Sequence, residues 1–508
     1  MSASNQTETP DVDCNQYLED LRSEKSLAWV AEQNERTLQE LFPSSSSPIE
    51  NEPLHAELLE VFDDKNRIPT VSVRGDFLYN FWQDEDHVKG IWRRTTWEEY
   101  KKKDPEWETV LDIDALAEKE GKSWVYKGAR FLCYGPGEYR RADRCLISLS
   151  EGGTDACEVR EFDAMEKKWV TENPFYIPNS KHTVCWVDRD TLWVGYDYGE
   201  GTMSPSGYPL TTRKWSRGTK LEDATEIFRG EPTDVSAGGS FYYDKDEKYA
   251  MFYRMATFND IEYYYWFEGD KDLTKVKWIA SSCRIQTFKK KVLIMPKEVW
   301  SFGGKVYKAG SLLSCDFETF VKEGHLDAVF LGAGARTVGE EPKCDIQILY
   351  EPANDRCAYE GATDSRDYLY VSSLENLQSK ITVYRFDDAT NAFILEGAHE
   401  AENCQTFSVG GAEPNSTNAL FASSSGFLNP STYLYSEVGG LKGIKNAQSL
   451  KSSSSWFDSE GMSVTLNEAT SKDGTKVPYF LVRAKGNDEN SGPKPTVLNG
   501  YGGFRINS

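Results

Sequence analysis

The chain is short of histidine, of unbroken apolar sequence and of positive charge, and each shortage closes off a class of function. Five histidines occur in 508 residues (His55, His87, His182, His325 and His399). None falls in an H-E-x-x-H or a cysteine-paired spacing, and no Walker loop or EF-hand loop is present, so neither a metal nor a cofactor is expected. No run of about eighteen apolar residues exists, which excludes a membrane-spanning helix. Lys and Arg number 58 against 81 Asp and Glu, a net charge of -23, and such a surface repels nucleic acid and anionic membranes. The short basic runs Lys101 to Lys103 and Lys289 to Lys291 read as solvated faces. The N-terminal MSASNQTETPDVDCNQ lacks the basic start and apolar core of a secretory signal. The ten cysteines form no C-x-x-C pair, and Cys133, Cys145 and Cys157 lie in or beside apolar stretches, as reduced core thiols do. A reducing, cytoplasmic setting is expected, in which the N-x-S/T triplets at Asn5 and Asn415 are chance matches.

What is present falls into three parts. In SEKSLAWVAEQNERTLQELF the apolar Leu27, Val30, Ala31, Leu38 and Leu41 recur at helical spacing, and the pattern stops before Pro43 and the serines 44 to 47, a linker by composition. From about residue 65 to 450 short β-type runs rich in aromatics alternate with turn residues. REFDAMEKKW (160–169) and YRFDDATNAF (384–393) share one design: an aromatic-Asp pair ends a strand, a polar turn follows, and an aromatic opens the next strand seven residues after the first. Aromatic-centred strands near Trp92, Phe162, Trp215, Trp266, Phe317, Phe386 and Tyr433 give seven units. A pair of β-sandwiches or a solenoid are the alternatives, but so long an all-β stretch without a domain linker favours radial closure into a propeller, which protects sheet edges.

After Ser452 the pattern changes again. Met462, Val464 and Leu466 alternate, Ser471 to Thr475 supply turn chemistry, and Val477 to Val482 form a second apolar strand. A polar loop then leads through Thr496-Val497-Leu498, read as a further strand, to NGYGGFRINS. Two adjacent glycines between Tyr501 and Phe504 permit a tight turn and close backbone approach. The stretch reads as the middle of a domain, so the sequence is expected to be cut within it.

The order of these parts, together with YLEDLRSEKSLAWVAEQNERTLQEL, GDFLYNFWQDEDHVKGIWRRTTWEEY, EWETVLDIDALAEKEGKSWVYKG, ATSKDGTKVPYFLVRAKG and PTVLNGYGGF, resembles the prolyl oligopeptidase family of serine peptidases over most of the chain. The resemblance implies a mainly β fold: residues 1–62 as a helical segment packing on the hydrolase part, 63–452 as a seven-bladed β-propeller, and 453–508 as the incomplete start of an α/β-hydrolase domain. It implies short peptides as substrates and cleavage after proline; a monomer is expected. By motif position Tyr501 is the family's tyrosine that donates its hydroxyl to the oxyanion, and Phe504 helps line the proline pocket. Acyl transfer puts negative charge on the former carbonyl oxygen, so a phenol fits as one of the donors the site needs; the plain reading is a strand-to-loop turn with a buried tyrosine.

No G-x-S-x-G occurs, so the nucleophile elbow of an α/β-hydrolase is absent, and the order Ser, Asp, His places the triad beyond the glycine turn. All five histidines precede the hydrolase segment and are expected to be surface or structural. The chain alone is therefore expected to be inactive. Gly332-Ala333-Gly334 follows a strand-like run, but Thr337 stands where a dinucleotide fingerprint has its third glycine, and a turn is the better reading. The competing function is a non-catalytic propeller that binds and does not cleave.

Overall fold

The structure, a computed structural model, describes residues 13–20, 23–42, 52–302, 304–323, 329–330, 345–402, 404–484, 486 and 492–500. The chain forms two compact units, residues 1–65 and 66–508. The first holds helices Glu24–Leu41 and Pro53–Phe62. The Ser23 hydroxyl accepts from the Ser26 amide and caps the first of these, satisfying one of the donors a helix start leaves free. Leu27, Val30, Leu38 and Leu41, the row that predicted this helix, are exposed.

In the second unit seven antiparallel sheets follow one another along the chain as the blades of a propeller: residues 72–112, 124–180, 183–229, 236–275, 284–350, 357–400 and 405–452. The repeat seen in the sequence is the hairpin between the third and fourth strands of a blade. Phe162 pairs with Trp169 in blade 2 and Phe386 with Phe393 in blade 6. Lys167 and Asn391 hold the same left-handed position in the two turns, at φ 53 and 50°. All but one of the seven marker aromatics lie in the third strand of their blades, and Phe317 lies just beyond it.

Side-chain alternation explains why the sheets stack radially. On the second strand of blade 6, Tyr368–Glu375, Leu369 and Val371 enter the cluster shared with blade 5, whereas Tyr370 enters the cluster shared with blade 7. A strand whose two faces both meet protein needs apolar residues on both; Thr191–Gly195 of blade 3 is buried at every position. Each fully buried Leu, Val or Phe in these layers contributes about 1.5–3 kcal/mol. One apolar cluster fills each of the seven blade interfaces.

Blade 7 is built from one continuous stretch and borrows no strand from blade 1. Their seam is held by side chains alone: Val73, Leu78 and Tyr100 are buried there, and Trp97 stacks on Phe421 and tilts against Tyr435. Blade 5 carries a small extra sheet, Lys305–Tyr307, Trp300–Phe302 and Val329–Phe330. The Gly332-Ala333-Gly334 motif lies outside the described residues. The C-terminal strands Ser463–Thr470 and Lys476–Arg483 form the expected hairpin, with Gly474 in its turn at φ 89°. Thr496-Val497-Leu498, read above as a strand, is irregular, and Val497 and Leu498 are almost fully exposed. A strand needs a neighbour for its backbone groups, and among the described residues none pairs with this run.

Candidate functional site

Strand direction sorts the loops onto two faces. Each blade has four antiparallel strand positions, the outer one of blade 2 being interrupted (Lys168–Trp169 and Tyr176–Ser180), so the chain enters and leaves every blade on one face, here the entry face; the turns between first and second strands lie on the other, the distal face. The C-terminal hairpin lies on the entry face. Arg356, between blades 5 and 6, pairs with Glu468 of the hairpin, and Phe427 of blade 7 lies 5.4 Å from Phe480. Tyr501 and Phe504, the two residues assigned to the oxyanion and the proline pocket, lie outside the described residues.

The distal face is where non-neighbouring blades meet, which places its inner turns at the propeller axis. Asn415, in the turn of blade 7, accepts from the Lys245 amide at 3.1 Å and donates to the Tyr243 carbonyl at 3.1 Å, both in blade 4. Arg366 of blade 6 donates to the Asn415 carbonyl at 2.8 Å and to Asp246 of blade 4 at 2.7 Å. Tyr139 of blade 2 meets Tyr243 edge-on. The buried Lys245 ammonium sits between Asp244 and Asp364, at 3.0 and 2.9 Å, over the Phe288 ring. Burial pushes the Asp364 carboxyl up, with Lys245 opposing.

Neighbouring blades are laced on the same face. Arg189 of blade 3 pairs with Asp143 of blade 2 at 3.1 Å. Burial works against the Asp143 charge, but hydrogen bonds from Tyr134 and Arg189 outweigh it and hold the carboxyl below the usual carboxylate range. Lys289 of blade 5 bonds Asp367 at 2.9 Å and Asp388 at 3.0 Å. Lys289 is therefore not the solvated residue read from the sequence. Its left-handed φ of 50° in a tight turn places the side chain against blade 6, whereas Lys290 is exposed.

The described histidines are not brought together. His182, between blades 2 and 3, meets the Ser180 carbonyl through Nδ1 at 3.0 Å, and burial lowers its pKa. His399 of blade 6 packs on Phe407. His87, expected to be surface or structural, has its Nδ1 2.9 Å from Asp84, which also accepts from the Trp82 indole. The D-x-x-H spacing was the available signal. A carboxylate orients this imidazole as in a catalytic pair, but among the described residues no hydroxyl or thiol bonds it, so no nucleophile is activated there. No group of three or more His, Cys, Asp or Glu residues suited to a metal ion occurs among the described residues.

Residues 4–286, more than half of the chain, match the family described as "Prolyl oligopeptidase, N-terminal beta-propeller domain". The chain belongs to the prolyl oligopeptidase family. It is similar to an uncharacterized peptidase of Sinorhizobium fredii, 33% identical over 497 residues that cover 96% of this chain and 63% of the relative. A second uncharacterized peptidase, from Rickettsia prowazekii, is 28% identical over 505 residues, covering 96% and 64%. Among solved structures, a post-proline cleaving enzyme from Rickettsia typhi matches with a TM-score of 0.78 at 23% identity, covering 93% of this chain and 65% of that one. Oligopeptidase B from Leishmania major matches at 0.66 and 14%, covering 94% and 61%. These structural likenesses establish the fold. The chain spans somewhat under two-thirds of the length of the curated relatives it matches.

Proposed function

We propose that this chain is the propeller-bearing part of a serine-type oligopeptidase that cleaves short peptides after proline. The observation that carries the reading is a second structural element, the hairpin 463–483, beginning on the entry face of a family propeller and leading toward Tyr501-Gly502-Gly503-Phe504. In this reading the hydrolase domain covers the entry face and supplies Ser, Asp and His from sequence beyond Ser508. The row Leu27, Val30, Leu38 and Leu41 is the apolar surface with which the N-terminal helix packs on that domain. Tyr501 donates to the oxyanion and Phe504 lines the proline pocket, with backbone amides as further donors. A propeller over the site admits flexible peptides and excludes folded proteins.

The nine cysteines among the described residues are all free, which supports a reducing, cytoplasmic location. No described helix is long and apolar enough to cross a membrane. The test is turnover of fluorogenic peptides with proline or alanine before the scissile bond, by the protein carrying this chain and its downstream sequence. Proline-dependent turnover that a serine-directed inhibitor titrates is the expected result. Absence of turnover by that protein overturns the reading in favour of a binding propeller.

A further inference from the structure

A cavity of about 450 Å³ opens on the distal face between the inner turns of blades 1, 2 and 7, within the size range of small-ligand sites. Its charged lining is Arg74, Arg130, Arg141 and Glu413. Three guanidinium groups facing one carboxylate is the reverse of the chain's balance of 58 basic to 81 acidic residues. Arg141 is engaged elsewhere, by Glu138 at 3.3 Å and Asp143 at 3.5 Å. Arg74 and Arg130 have no carboxylate within 4 Å among the described residues; the hydrogen bond Arg74 makes is to the carbonyl of its own neighbour Val73. Both are exposed residues that line the cavity, so their donors are open to a ligand, and charge of one sign in a cleft draws in the opposite charge.

Physical cost sharpens the point. Desolvation lowers the pKa of Arg74, with Glu413 opposing, and burial raises that of Glu413. The two are close enough to influence each other but do not pair, so among the described residues no carboxylate pairs with Arg74 or Arg130 and the cavity lining keeps an excess of positive charge. Nor is the wall soft. The turn carrying Glu413 is pinned across the axis through Asn415 to Tyr243 and Lys245, and through Arg366 to Asp246. A preformed cavity with free planar donors is suited to a carboxylate, which a guanidinium binds through two parallel hydrogen bonds.

We propose that this cavity is a carboxylate site of the propeller, in which Arg74 and Arg130 bind an acidic side chain or the free C-terminus of a peptide. The kind of ligand rests on the peptidase reading, but the site itself is tested by binding to the 508-residue chain and not by cleavage. The probes are four tetrapeptides, acetylated at the N-terminus: one amidated and ending in aspartate, its asparagine counterpart, a neutral one with a free C-terminal carboxylate, and the same neutral peptide amidated. Calorimetric titration should show at least one of the two carboxylate peptides binding about tenfold or more tightly than its uncharged partner, as expected for a charge-assisted pair. Which of the two does so identifies the source of the carboxylate.

The double variant Arg74→Gln/Arg130→Gln should abolish that preference, while Arg140→Gln, which removes a surface pair with Asp76 outside the cavity, should keep it. Since neither cavity arginine holds a carboxylate partner, the double variant should melt within a few degrees of the parent. If it does not fold, Arg74→Lys/Arg130→Lys, which keeps charge but loses the bidentate geometry, should still cut the preference several-fold. Equal affinity for charged and uncharged peptides, or a preference that survives these variants, overturns the proposal. Cleavage by the longer protein without an arginine-dependent preference here would leave the peptidase reading standing and this site refuted; the converse result would do the opposite.

Discussion

Two residues that look alike in the sequence behave in opposite ways in the structure. Lys289 and Lys290 stand side by side in a basic run, yet the first is buried against Asp367 and Asp388 and the second is exposed. Lys289→Ala leaves two carboxylates facing each other and should cost about 2 kcal/mol, whereas Lys290→Ala should stay within about 0.5 kcal/mol; denaturant unfolding of the two variants measures both. Nothing local in the run distinguishes them, because the partners lie 78 and 99 residues away. The stretch Tyr501 to Phe504 is the contrary case, because the roles proposed for it follow from the residue types themselves. In a protein that carries this chain together with the proposed hydrolase sequence, Tyr501→Phe removes only a hydroxyl and should lower turnover about a hundred- to a thousand-fold with little change in ground-state binding. Phe504→Ala should raise KM for proline peptides more than for alanine ones, by roughly ten- to two-hundred-fold in specificity. Steady-state kinetics on both substrate series decide the two roles, and a Tyr501→Phe effect under about threefold would reduce the turn to a structural one.

Elements were more legible than single contacts. The hairpin joining the third and fourth strands of a blade repeats a local recipe, aromatic-Asp, polar turn, aromatic, so Phe162 to Trp169 and Phe386 to Phe393 could be matched by eye and prove to be register partners. The turns between first and second strands carry no such common spacing. That of blade 2 runs through residues 132–143 and that of blade 4 through 245–246, so the ion pairs between them stayed hidden. One such pair makes a pH prediction. The Asp143 carboxyl is held below its unfolded value near 3.9, so its contribution is complete above that pH and is lost as pH falls through the lower folded value. Thermal melts should show Asp143→Asn less stable than the parent at pH 6, with the gap closing below about pH 4. A gap that persists at pH 2.5 would mean the Arg189 bond is not its source.

At the scale of the whole molecule, seven interfaces hold seven blades, and they are not equal. Between blades 4 and 5 Trp300, Phe302, Phe320 and several tyrosines are buried together, while the seam of blades 7 and 1 buries fully only Val73, Leu78 and Tyr100 and relies on the half-buried Trp97. Trp97→Ala should therefore cost about 2 kcal/mol, less than the 3–5 kcal/mol of a fully buried tryptophan. Hydrogen exchange should speed up in blades 1 and 7 before it does in blade 4; uniform acceleration would show that the ring yields as one body. The blade count could be read from periodic aromatics because an aromatic recurs in the third strand of six blades and just beyond it in blade 5. The weak seam could not, since closure is a property of residues more than 300 positions apart.

The even number of strand positions in each blade has an evolutionary corollary. Because every blade returns the chain to the side from which it came, duplicating or deleting a whole blade in the gene changes the circumference but never moves the exit to the opposite side. Copy number is thus decoupled from the routing of the polypeptide into whatever follows. An insertion of one strand, or three, would send the downstream sequence out on the far side, and descent with such a change would need a second event to reverse it.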